Sequence, residues 1–189
     1  MDLKLILGII FAGLLSNNYA ILHFLGTGAV IENNRTIKRS LFIGLGTLLV
    51  MLLTTLITWP INKYLLAHAE YLQTLVFVLV VLGVVELIHL VAKGKLEGYC
   101  QVDFLTFAIN GAVLGLCING ASLGFGEACL TAAQVGVGLT LTMIIFSTLH
   151  ERLDETSVPK AFRGLPISLL VAGLMALAFL ACKWENVIF

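Results

Sequence analysis

Six stretches of this chain run apolar for long enough to cross a lipid bilayer, and that constrains its fold more than any other feature. The windows fall at roughly residues 3–25, 41–60, 71–93, 104–122, 127–149 and 165–182. Each approaches the roughly 20 helical residues that a hydrocarbon core requires. The connections between them are too short for a separate soluble domain. Of the 189 residues, 59% are hydrophobic and 12% charged, where soluble domains carry about 25% charged residues. Continuous apolar runs, without alternation, argue against a membrane β-barrel. The expected fold is an all-α integral membrane protein, one membrane domain over 1–189. The start, Met1-Asp-Leu-Lys4, could pass for a signal peptide, but its Lys is balanced by an Asp and five further spans follow. It reads as the beginning of the first span.

The chain nearly repeats itself after 92 residues. Asn18-Tyr-Ala-Ile-Leu22 aligns with Asn110-Gly-Ala-Val-Leu114, Ile43-Gly-Leu-Gly46 with Val135-Gly-Val-Gly138, and Met51 with Met143. One offset serving separated segments implies two homologous halves, 1–93 and 94–189, of three helices each. Three is odd, so the second half enters the membrane from the opposite face. The halves are then a 3+3 inverted repeat about an axis in the membrane plane.

In both halves the repeat is centred on a polar interruption. Span 1 contains Ser16-Asn17-Asn18 and span 4 contains Asn110-Gly111. Ser and Asn compete for backbone hydrogen bonds and favour helix caps over helix interiors. Gly lowers the cost of leaving helical geometry. Helices 1 and 4 are therefore expected to be broken, with Asn18 and Asn110 capping their second halves and positive dipole ends meeting near the bilayer midplane. Such a site suits negative charge. The competing reading is plain helix packing, in which Asn bonds across helices and small residues allow close approach. Gly44, Gly46, Gly136 and Gly138 read as packing notches.

Orientation follows from the basic residues. Arg35, Lys38, Arg39, Lys93, Lys95, Arg152, Lys160 and Arg163 lie in the loops of one side, and Lys4, Lys63 and Lys183 on the other. The positive-inside rule then puts both termini outside, with Trp59 and Trp184 at the outer interface. Ionisable residues within spans are few. Glu86 and His89 share a face of span 3, and His23 follows the break in span 1. They read either as an intramembrane relay or as groups close enough to the interface to reach water. The cysteines Cys100, Cys117, Cys129 and Cys182 have no metal-site spacing and read as small apolar residues. No metal site is expected. Zero net charge, with 11 basic and 11 acidic residues, gives no footprint for nucleic acid.

Asn17-Asn18-Tyr-Ala-Ile-Leu-His-Phe-Leu-Gly26, Asn110-Gly-Ala-Val-Leu-Gly115, and the tail motifs Glu151-Arg-Leu153, Val158-Pro159, Phe162-Arg-Gly164 and Ala172-Gly-Leu-Met-Ala-Leu-Ala-Phe179 resemble the RnfA/RnfE–NqrD/NqrE family. The tail is similar to that of the RnfA branch. The resemblance covers nearly the whole chain. It implies a six-helix subunit of an ion-translocating electron-transport complex in the cell inner (plasma) membrane, working with other Rnf-like subunits and paired with a homologous six-helix one. It also implies a shared 2Fe–2S cluster held by cysteines at the broken helices. The positions that would carry those cysteines here are Gly28 and Gly111. Thiolates hold such clusters and glycine cannot, while Cys117 lies nearly two turns beyond Gly111. The resemblance thus implies a subunit without iron–sulfur ligands of its own and no cofactor held by this chain. Because no nucleophile–base pair is visible, it is at most a non-catalytic subunit of a translocase. The alternative function is a small inverted-repeat transporter binding a solute or ion at the broken helices.

Overall fold

The computed structural model describes residues 37–64, 70–92, 110–154, 159 and 162–188, and everything described is helix, turn or connection. The order is α1 (Ile37–Tyr64), a 3-10 turn (Glu70–Leu72), α2 (Gln73–Ala92), α3 (Gly111–Gly120), α4 (Phe125–Asp154) and α5 (Leu165–Ile188). These are spans 2 and 3, the second part of span 4, and spans 5 and 6. Three helical stretches, 37–64, 73–90 and 125–153, are long and apolar enough to cross a membrane. The first span, with Asn17, Asn18, His23 and Gly28, lies outside the described residues.

α1 and α4 overrun their sequence windows at both ends. At 28 and 30 residues they measure about 42 and 45 Å, against a hydrocarbon core of about 30 Å. Apolarity marks only the part in hydrocarbon. Their helical geometry continues through Lys38 and Arg39 at one end and Glu151 and Arg152 at the other. Lys63 in the last turn of α1, and Glu127 and Arg152 in the first and last turns of α4, complement the helix dipoles. α5 starts after Gly164, whose φ of 88° is a left-handed turn that glycine adopts without penalty.

α1 and α4 form the centre of the bundle and cross antiparallel. A Cβ built on Gly44 would lie 2.6 Å from Thr140 Cγ2 and 2.9 Å from Thr140 Cα, and one on Gly136 would lie 2.9 Å from Leu48 Cγ. In lipid there is little hydrophobic drive between helices, so close backbone approach at small residues is what joins them. These two contacts exchange under a shift of 92 residues, because Gly44 maps to Gly136 and Leu48 to Thr140. Burial follows the same rule. Eight of the nine buried positions of α1 (Ser40, Ile43, Gly44, Thr47, Val50, Met51, Thr54 and Thr55, but not Thr58) have buried counterparts 92 residues on in α4.

The buried threonines satisfy their hydroxyls within their own helices. Thr47 donates to Ile43 O at 2.8 Å, Thr54 to Val50 O at 2.7 Å, Thr140 to Gly136 O at 2.8 Å and Thr142 to Gly138 O at 2.9 Å. The central contact therefore contains polar atoms without relying on bonds across it, which keeps them paired where no water is present. Around it, Phe77, Val81 and Val85 of α2 and Val113 and Leu116 of α3 join Val50 and Met51 of α1, while Val171 and Met175 of α5 join the same core. Leucines cover the outward faces of α1, α2 and α5, as lipid-facing surfaces require.

Candidate functional site at the start of a half-helix

α3 is 10 residues long and starts with Asn110 as its cap. Asn110 has φ −78° and ψ 106°, an extended conformation, and its Oδ1 accepts from the Ala112 N–H at 3.0 Å. Its carbonyl accepts from the Val113 N–H, also at 3.0 Å. Asn at a cap satisfies one of the donors orphaned at any helix start, and Gly111 follows in the first turn. Asn110 is only 4% exposed, yet its Nδ2 is buried with no hydrogen-bond partner among the described residues. An unpaired buried amide costs about 1–3 kcal/mol, so this polar group sits at the start of a helix dipole with capacity to spare.

The other end of α3 is fixed. Trp59 Nε1 donates to Leu123 O at 3.0 Å, Asn62 Nδ2 to Ala121 O at 3.0 Å, and Gln73 Nε2 to Asn62 Oδ1 at 2.9 Å. Phe125 packs edge-on against Trp59 with ring centroids 5.1 Å apart, and Lys63 Nζ lies 4.8 Å above the same ring. Side chains at the end of α1 and the start of α2 thus hold the turn between α3 and α4. All of these groups share one side of the bundle, and about 15 Å of helix separates them from Asn110.

Cys117 is buried on α3, in contact with the Thr58 side chain. Its surroundings are Thr55, Thr58, Trp59, Phe77, Gly120 and Ala121, which leave no space wide enough for a water molecule. Six residues past Gly111, it is about 9 Å further along the axis. Cys129 is half-buried at the beginning of α4. Among the described residues no group of three or more His, Cys, Asp or Glu could hold a metal ion.

Glu86 and His89 are paired on α2, Oε2 to Nδ1 at 3.7 Å, with side chains 67% and 34% exposed. Glu86 is exposed and His89 half-buried. Two polar groups carry no motif of their own in the sequence. Ser147 Oγ and His150 Nδ1 are buried one turn apart on α4 with no hydrogen-bond partner among the described residues, and His150 stacks on Phe146 with centroids 5.8 Å apart. The repeat held the signal for them, since Ser147 and His150 are 92 residues beyond Thr55 and Thr58, which line the space around Cys117.

A family model described as an Rnf-Nqr subunit, membrane protein, matches residues 6–184. Among curated proteins, the chain is 32% identical over 185 residues to the A-type subunit of the ion-translocating oxidoreductase complex of Syntrophotalea carbinolica, covering 94% of this chain and 96% of that protein. It is 33% identical to the corresponding protein of Shigella flexneri serotype 5b, covering 91% of this chain and 93% of that protein. Its identity to the corresponding protein of an Azoarcus species is 34%, covering 88% and 90%.

Proposed function

Because the chain belongs to the Rnf-Nqr family of membrane subunits, we propose that it serves as a membrane subunit of an ion-translocating oxidoreductase complex. In this reading it is a 3+3 inverted repeat in the inner membrane, both termini outside, that works beside other Rnf-like subunits, one of them a homologous six-helix partner. Similarity to the A-type subunits along nearly the full length of both chains carries the assignment. The exchange of Gly44–Thr140 with Gly136–Leu48 under the 92-residue shift supports the repeat. The start of α3 at Asn110, about 15 Å from the docked turn, supports a site at mid-depth in a core of about 30 Å.

The 2Fe–2S group implied by the resemblance does not fit the residues present. Gly111 offers no thiolate where the first turn of α3 begins, and Cys117 faces Thr58 two turns away. Among the described residues near Asn110, nothing in the donor set replaces a thiolate. Asn110 contributes an amide and the helix start contributes N–H groups, which favour an anion over a cation. The role proposed is therefore structural or ion-gating, without ligands of its own for a cluster.

The test is affinity purification of the tagged chain from its native membrane, followed by protein identification and iron and sulfide analysis. Other oxidoreductase subunits should co-purify, and Cys117→Ser should leave iron and sulfide content unchanged. Purification of the chain without any redox subunit would favour the solute-transporter alternative. Loss of a stoichiometric 2Fe–2S signal in Cys117→Ser would refute the absence of ligands.

A further inference from the structure

Glu86 gives α2 an outward face unlike the others described. Its side chain is 67% exposed among the exposed residues Leu75, Leu79, Leu82, Leu87 and Leu90. The stretches 41–57 of α1, 128–149 of α4 and 165–180 of α5 contain no charged residue. Glu86 lies about 20 Å along the axis from the start of α2 and about 9 Å from its end.

A charged carboxylate facing hydrocarbon is costly on insertion scales, and less so toward the interface. Snorkelling relieves little of that here. The stem is only two methylenes long, and side chains on an α-helix lean toward its N-terminus. For α2 that direction leads into the membrane and away from the nearer interface at Ala92. His89, one turn closer to that interface, is 3.7 Å away, and the couple still presents most of the carboxylate outward. Ionisable residues within membranes face a protein interior or a water-filled cavity almost without exception.

We propose that the Leu75–Leu79–Leu82–Glu86–Leu90 face of α2 is covered by a transmembrane helix of another subunit carrying Lys or Arg at the depth of Glu86. The leucines supply the apolar seam, and the outward carboxylate requires a cationic donor opposite. The inference rests on the reading that the chain works inside a complex.

Photo-crosslinking residues at Leu79, Leu82 and Leu90, with Leu174 and Leu177 of α5 as references, test it in native membranes, with adducts mapped by mass spectrometry. The α2 adducts should map to a membrane helix of another subunit, within one turn of a Lys or Arg, while the α5 positions yield lipid adducts. Glu86→Lys should lower the α2 adducts at least tenfold, and the opposite change in the partner should restore them. Glu86→Gln, a milder change that keeps the shape, should lower them severalfold. Lipid adducts alone at α2 in a complex that still co-purifies would overturn this proposal and leave the complex intact. Adducts to a second copy of the chain, or to a helix without a basic residue, would overturn it as well. If no other subunit co-purifies, the complex reading falls and this proposal falls with it.

Discussion

Replacing Gly44 by alanine probes the contact on which the bundle is centred. The added methyl would meet Thr140 Cγ2 at 2.6 Å and Thr140 Cα and Cβ at 2.9 Å. One of those atoms belongs to the backbone of α4, so the clash is not relieved by rotating a side chain, and the two helices must separate. Overpacking of this kind costs about 1–3 kcal/mol, and a backbone clash belongs at the upper end. Alanine returns about 1 kcal/mol through its higher helix propensity. The net destabilisation is about 1–2 kcal/mol, which lowers the melting temperature of a protein this size by about 2–8 °C. Gly136→Ala meets Leu48 Cγ at 2.9 Å and Leu48 Cα at 3.1 Å, a softer clash with a smaller expected loss. The double variant should lose less than the sum, since separation forced by one methyl makes room for the other. Gly83→Ala, with nothing within 4 Å of its built Cβ, is the control and should gain up to about 1 kcal/mol. Thermal unfolding in detergent, followed by the surviving monodisperse fraction, measures all four. A Gly44→Ala variant as stable as Gly83→Ala would refute the close crossing.

Asn110→Ala and Asn110→Ser both remove the unpaired Nδ2, but only serine keeps a cap oxygen, so Asn110→Ser should be about 1 kcal/mol more stable than Asn110→Ala in the same thermal assay. Trp59→Phe keeps the ring packing on Phe125 but removes the donor to Leu123 O, so amide hydrogen exchange should rise in residues 121–124 more than in α1. The orientation proposed above makes Ser122→Cys reactive to impermeant maleimide from outside the cell and Arg152→Cys reactive only in inverted vesicles; the opposite pattern would reverse the topology.

The two notches and the capped helix start at Asn110 were legible in the sequence because each depends on local chemistry. Asn110-Gly111 interrupts an apolar run wherever the rest of the chain lies, and Gly44 and Gly136 are marked by sharing an offset. The docking of Trp59, Asn62 and Gln73 on the turn after α3 was not legible, because two of those bonds accept at backbone carbonyls 59 and 64 residues away in sequence, and any residue has a carbonyl. Glu86 and His89 could be placed on one face by spacing alone. Which way that face points depends on how α2 leans on α1 and α3, and the near-uniform apolarity of α2 leaves no periodic stripe to tell the inside from the outside.

The clasp around Trp59 makes α3 a ruler. One end hangs from a fixed point, so the depth of Asn110 is set by how many residues lie between, not by which residues they are. Substitutions along α3 alter its packing but leave that depth alone. One inserted residue would shift Asn110 by about 1.5 Å and swing it about 100° around the axis, and a whole added turn would restore its direction about 5.4 Å away. Residues 111–120 should therefore tolerate changes of letter far better than changes of length.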